Sequence, residues 1–134
     1  MRGPGGLGSI TAMSLEVTTA ARDGITLVTL GGELDIYTVA GFRQDLESVD
    51  PASELLVIDL TDVTLLDSSG LGALISLLNR ARAGEGQLGL ICPHRRLRRV
   101  FEITGLRRAF VFGDDLEGVL AELAKGPDEA ASGA

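Results

Sequence analysis

The chain has 134 residues, 45% of them hydrophobic, which suits one domain with a real core. Aromatic residues make up 4% and Trp is absent, so that core must be aliphatic. A formal net charge of −7 argues against a general nucleic-acid binder, and the single cysteine, Cys92, excludes an internal disulfide and fits a reducing compartment.

Residues 1–12, "MRGPGGLGSITA", are rich in Gly and small residues and have no period. They read as a flexible leader or an added extension, with the domain spanning 13–125 and a disordered tail at 126–134. No apolar run reaches the ~18 residues of a membrane span, and no charged-then-apolar leader opens the chain. The expectation is a soluble cytoplasmic protein without membrane insertion.

Leu15–Thr19 alternates like a strand, Arg22-Asp23-Gly24 carries a turn signal, and Ile25–Leu30 is a second strand. The pair predicts a hairpin that ends at Gly31-Gly32. "GELDIYT", from Gly32 to Thr38, then leads into a helix whose apolar residues Val39, Phe42, Leu46 and Val49 recur at helical spacing. Asp35 or Thr38 can cap it, and Pro51 lies just beyond its end. Leu55–Leu60, "LLVIDL", is nearly continuous apolar and predicts a central parallel strand buried on both faces.

After "TDVTLL" comes "DSSGLG", residues 67–72, followed by a helix with Leu71, Leu74, Ile75 and Leu78 inside and Leu77 widening the buried face. Arg80 and Arg82 suit its last turn, and Gly84 its stop. Leu88–Cys92 predicts another buried strand, closed by Pro93. Residues 94–105 form a basic amphipathic helix with Leu97, Val100, Phe101 and Thr104 inward. Phe110–Phe112 is a short strand. Asp114–Lys125 is a last helix, capped by Asp114 or Asp115, with Leu116, Val119, Leu120 and Leu123 inside. A hairpin followed by alternating units means an α/β domain: a mixed four- to five-stranded sheet, parallel in its later part, packed with about four helices.

"DSSGLG" admits several chemistries. A nucleophile elbow needs Gly two residues before the Ser, but Leu66 and Asp67 hold those positions. A triad also needs a His, and the only one, His94, lies beside Arg95 and Arg96 and reads as a surface imidazole. A dinucleotide fingerprint fails at Ile75, where the third Gly belongs, and at Cys92-Pro93, where no carboxylate follows the next strand. No P-loop is present, and no Cys/His spacing fits a metal. A helix cap remains: Asp67 or Ser68 accepts from first-turn N–H groups. It leaves unexplained two first-turn glycines, each costing about 1 kcal/mol against Ala. Small residues there would keep a low, open surface around the hydroxyls. Six of the twelve Lys and Arg residues lie between Arg95 and Arg108. The plain reading of that segment is a solvated face; if it binds, an acidic protein surface suits it better than DNA.

"LLVIDLTDVTLLDSSGLGALISLLNRAR" resembles the central stretch of the bacterial anti-sigma factor antagonists, the small STAS-domain proteins. "GGELDIYT" resembles their first-helix region and "GLRRAFVFGDDLEGVL" their C-terminal segment, so the similarity runs from about residue 14 to 124. The family implies no enzyme activity, no cofactor and no metal. It implies an unphosphorylated antagonist that binds an anti-sigma factor with serine kinase activity and frees a sigma factor for stress response or sporulation. The kinase phosphorylates the Ser just after the Asp, here Ser68, and a serine phosphatase restores it. Asp35, Asp67, Ser69, Gly70, Leu71 and Gly72 match the partner-binding positions around it. The alternative within the family is an accessory subunit of a lipid-transporting ABC complex or a stress-sensing assembly.

Overall fold

The computed structural model describes residues 14–52 and 55–125; the expected leader at 1–12 and tail at 126–134 lie outside them. Strands β1 (Leu15–Arg22) and β2 (Ile25–Leu34) form an antiparallel hairpin. Its two-residue turn places Asp23 at φ 53 and Gly24 at φ 80, the left-handed pair that matches strand twist. Then follow α1 (Val39–Asp45), β3 (Leu55–Leu66), α2 (Ser68–Ala83), β4 (Gln87–Ile91), α3 (Arg95–Ile103), β5 (Val111–Gly113) and α4 (Leu116–Ala124). The sheet order is β1-β2-β3-β4-β5, antiparallel only at the first pair. This is the expected mixed α/β sheet, in its five-stranded form with four helices.

Strand alternation divides the core. Val28, Leu30, Leu56, Ile58, Leu60 and Leu90 face one side, where α1, α2 and α3 cover them with Phe42, Leu74, Leu78, Leu97 and Phe101. Val57 and Ile91 face the other side, under Val119 and Leu123 of α4. The aliphatic core has one aromatic corner, where Phe101 meets Phe110 and Phe112 edge-on at 5.5 and 5.0 Å between centroids. Among the described residues no helix is long and apolar enough to cross a membrane.

Three expectations need correction. The hairpin does not end at Gly31-Gly32: β2 runs on to Leu34 through two register shifts against β3. Gly32 makes this possible, because its φ of 115 suits only glycine and a Cβ there would strike the carbonyl O of Ser14. For the same reason β3 does not stop at Leu60 but carries "TDVTLL" as strand, paired with the extended β2. Thr104 is not an inward residue of α3. It stands at the helix's end with its hydroxyl on Val100 O, while Gly105 N–H and Leu106 N–H close the terminus on Glu102 O and Phe101 O.

Candidate functional site

The two strand extensions create the site. Leu34 and Leu66 are register partners, so β2 and β3 end side by side and deliver Asp35 and Asp67 to one spot. Asp67 N–H donates to Leu34 O at 3.3 Å. The Asp67 carboxylate then serves two segments at once. Its Oδ1 accepts from Ser69 N–H and Gly70 N–H at 2.9 and 3.0 Å, capping α2. Its Oδ2 accepts from Ile36 N–H at 3.2 Å, tying down the turn that follows β2. Of the two proposed caps, Asp67 is the one used; Ser68 is the first residue inside the helix.

Asp35 is buried, and its carboxylate builds that turn. Oδ1 accepts from Tyr37 N–H at 2.9 Å and Thr38 N–H at 3.1 Å. Thr38 answers: its hydroxyl accepts from Asp35 N–H at 3.0 Å and donates to Glu33 O at 2.7 Å. Residues 35–38 therefore form a fixed turn rather than the first turn of a helix, and α1 starts at Val39. The turn pushes Ile36 and Tyr37 into solvent, 61% and 74% exposed, and Leu65 at the end of β3 is 44% exposed.

Ser68 stands in this setting exposed, with no hydrogen-bond partner for its hydroxyl among the described residues. Ser69 is half-buried. The two glycines differ. Gly70 is buried, and a Cβ on it would come within 2.5 Å of Leu34 O and 2.8 Å of Leu34 Cγ and Leu66 Cδ1. It lets α2 sit against the strand ends. A Cβ on Gly72 would meet nothing within 4 Å. Gly72 opens a groove that continues along α2 past Ile75, Ser76, Asn79 and Arg80 to Ala83. Leu71 points into the core.

His94 Nε2 lies against Thr61 O, and no hydrogen bond joins it to Ser68 or Ser69. Among the described residues no group of three or more His, Cys, Asp or Glu could hold a metal. Burial pushes the Cys92 thiol up from its ordinary range, although Arg98 beside it acts in the opposite direction. It is a protonated core thiol at neutral pH.

A family model described as the STAS domain matches residues 16–119. The chain belongs to the STAS domain family. Within that family it is 32% identical over 96 residues to an anti-sigma-B factor antagonist of Staphylococcus aureus, covering 71% of this chain and 89% of the relative. The crystal structure of an anti-sigma factor antagonist from Mycobacterium paratuberculosis superposes on this STAS domain with a TM-score of 0.69 at 28% identity, covering 83% of this chain and 95% of that one. The phosphorylated form of the Bacillus cell fate determinant SpoIIAA shares the fold, with a TM-score of 0.60 at 20% identity over 82% of this chain and 99% of its own.

The element order was legible in the sequence, and only the family resemblance linked Asp35 to the loop of Asp67; the Asp67–Ile36 tie was not legible, because it joins residues 31 apart. Ile36, Tyr37 and Leu65 were also missed as site residues. The signal available was Ile-Tyr directly after Asp35, apolar residues outside the helical period that begins at Val39.

Proposed function

We propose that this STAS domain is an anti-sigma factor antagonist, not an enzyme, and that phosphorylation of Ser68 switches it off. In its unphosphorylated form it binds an anti-sigma factor with serine kinase activity and releases a sigma factor; a serine phosphatase returns it to that form. The observation that carries this reading is Ser68 itself, an exposed hydroxyl without a partner among the described residues, on a firmly capped helix start beside exposed Ile36, Tyr37 and Leu65. A kinase can reach the hydroxyl, and a partner can cover the apolar residues around it.

The local geometry suits a reversible switch. Phosphate adds about −1.5 to −2 charges. It arrives at the positive end of a 16-residue helix, which offsets part of that charge, so the fold survives. Asp67 already occupies the Ser69 and Gly70 N–H groups, so the phosphate is left facing outward, next to a carboxylate. In a docked complex it adds bulk and an unpaired dianion where the partner must sit. Losing about 3 kcal/mol there weakens the complex by roughly two orders of magnitude. Asp35 and Gly70 serve this surface by shaping it from below, and Ser69, Leu71 and Gly72 by setting the helix start and the groove beside it.

The test is to incubate the protein with ATP and its cognate anti-sigma kinase and map the product by mass spectrometry. Phosphate at Ser68, lost in Ser68→Ala, is the expected result. Absence of phosphate, or phosphate that persists in Ser68→Ala, rejects the reading. Ser68→Asp should bind the anti-sigma factor far more weakly in calorimetry; equal binding counts against the switch.

A further inference from the structure

One strongly charged surface has no part in the Ser68 site. α3 turns Leu97 and Phe101 into the core, with Val100 packed beside them. Its opposite face carries Arg95, Arg96 and Arg99, all exposed, and then Ile103, 75% exposed. Arg96, Arg99 and Ile103 stand at i, i+3 and i+7 and line one stripe, with Arg95 joined to it through Arg99. Arg108, in the connection to β5, is exposed as well.

Two of the six arginines in this segment are engaged. Arg98 lies back on the fold: its Nε donates to Cys92 O at 2.6 Å, its Nη2 donates to Asp114 at 2.9 Å, and it stands 5.6 Å from the centroid of Phe112. Arg107 approaches Glu102 at 3.7 Å. Arg95, Arg96, Arg99 and Arg108 have no ion pair or hydrogen-bond partner among the described residues.

This pattern runs against the helix's own electrostatics. Arg95 and Arg96 occupy the first turn, where the dipole favours anions, and no acidic residue shares that turn. Arg95 and Arg99 repel each other across one turn. The last turn, where a cation would help, holds none. α2 shows the stabilising order instead, with Arg80 and Arg82 in its last turn. A charge arrangement that opposes folding and is not offset within the domain points to a use outside it.

We infer that the outer face of α3 is a second docking surface, for a short acidic segment of another protein. Residues 94–108 hold six arginines and one glutamate, a net of +5; the whole chain carries −7, so the remainder carries −12. A compact acidic segment complements the patch without approaching that remainder. Duplex DNA or an anionic bilayer extends past a helix about 14 Å long, toward a remainder of the chain that is net acidic. Ile103 adds an apolar anchor beside the charges, which a leucine or phenylalanine of a peptide can cover and a phosphodiester cannot.

Calorimetry on the full chain with a short peptide of alternating Glu and Leu tests this. Saturable binding is expected, weakening as salt rises and falling about tenfold in Arg96→Glu/Arg99→Glu. Arg96→Ala/Arg99→Ala and Ile103→Ser should show smaller losses in the same direction. Both arginines are exposed, and circular dichroism checks that each variant keeps its fold. Ser68→Asp should bind the peptide as wild type does, and Arg96→Glu/Arg99→Glu should still accept phosphate at Ser68, so this inference and the phosphorylation reading fail separately. No saturable binding, undiminished binding by the folded Glu variant, or tighter binding of duplex DNA or phosphatidylglycerol vesicles than of the peptide overturns the inference.

Discussion

Gly70 and Gly72 look alike in the sequence and should respond oppositely to the same substitution. In Gly70→Ala the new methyl meets Leu34 O at 2.5 Å and two leucine carbons at 2.8 Å, short of ordinary contact by roughly 0.6–0.9 Å. Leu34 is fully buried and its carbonyl is held by Asp67 N–H, so the strand end cannot give way. The start of α2 must lift instead. Overpacking of this kind costs about 1–3 kcal/mol, and the better helix propensity of Ala returns about 1 kcal/mol. The net expectation is a loss of up to about 2 kcal/mol. In Gly72→Ala the methyl enters open space and only the propensity gain remains, up to about 1 kcal/mol. The two variants should differ by about 2 kcal/mol, which separates their urea midpoints by about 1 M for a protein of this size. Far-UV circular dichroism is the signal of choice. Equal midpoints, or a Gly72 variant less stable than the Gly70 variant, would refute the reasoning.

Two further outcomes follow from the same geometry. Asp67→Ala removes both cap bonds and the tie to Ile36, and should cost about 1–2 kcal/mol in the same titration. Asp67→Asn keeps an acceptor for the cap and should lose less; a variant with Ala that unfolds at the wild-type midpoint contradicts the assigned role. Cys92 gives a pH prediction. Its folded value is raised above the ordinary 9.0, so burial of the neutral thiol stabilises the fold fully below that value, and this contribution fades as pH rises through the folded value. Native protein at neutral pH should therefore react slowly with a thiol reagent and quickly in denaturant; fast native labelling would contradict the burial.

The sequence displayed its helices and central strands through apolar spacing, and local turn chemistry located the hairpin at Asp23-Gly24. What it concealed depended on neighbours far along the chain. Gly31-Gly32 reads as a terminator by composition, yet β3 alongside it keeps the strand going, and Gly32 absorbs the irregularity. "TDVTLL" lost its strand character to three polar residues, Thr61, Asp62 and Thr64, and regained it by pairing with that same extension. Thr104 fits the inward period of α3, but the helix ends there and its hydroxyl folds back on the backbone. At the site, Asp67 and Ser68 were equal candidates for the cap, since either side chain can reach the first-turn N–H groups. The extended conformation of Asp67 and its bond to Ile36 decided between them. The unlike surroundings of Gly70 and Gly72 come from Leu34, which local spacing does not reveal.

The turn at residues 35–38 has one more consequence. The chain contains a single tyrosine and no tryptophan, and that tyrosine is Tyr37. The Asp35 carboxylate fixes its backbone, and its ring stands in solvent on the segment that Asp67 ties to the start of α2. Nearly all intrinsic ultraviolet emission of the protein therefore originates at the one face where a partner or a phosphate is expected. The unlabelled wild-type chain carries its own optical reporter for events at Ser68, with no engineered probe to disturb the surface being watched.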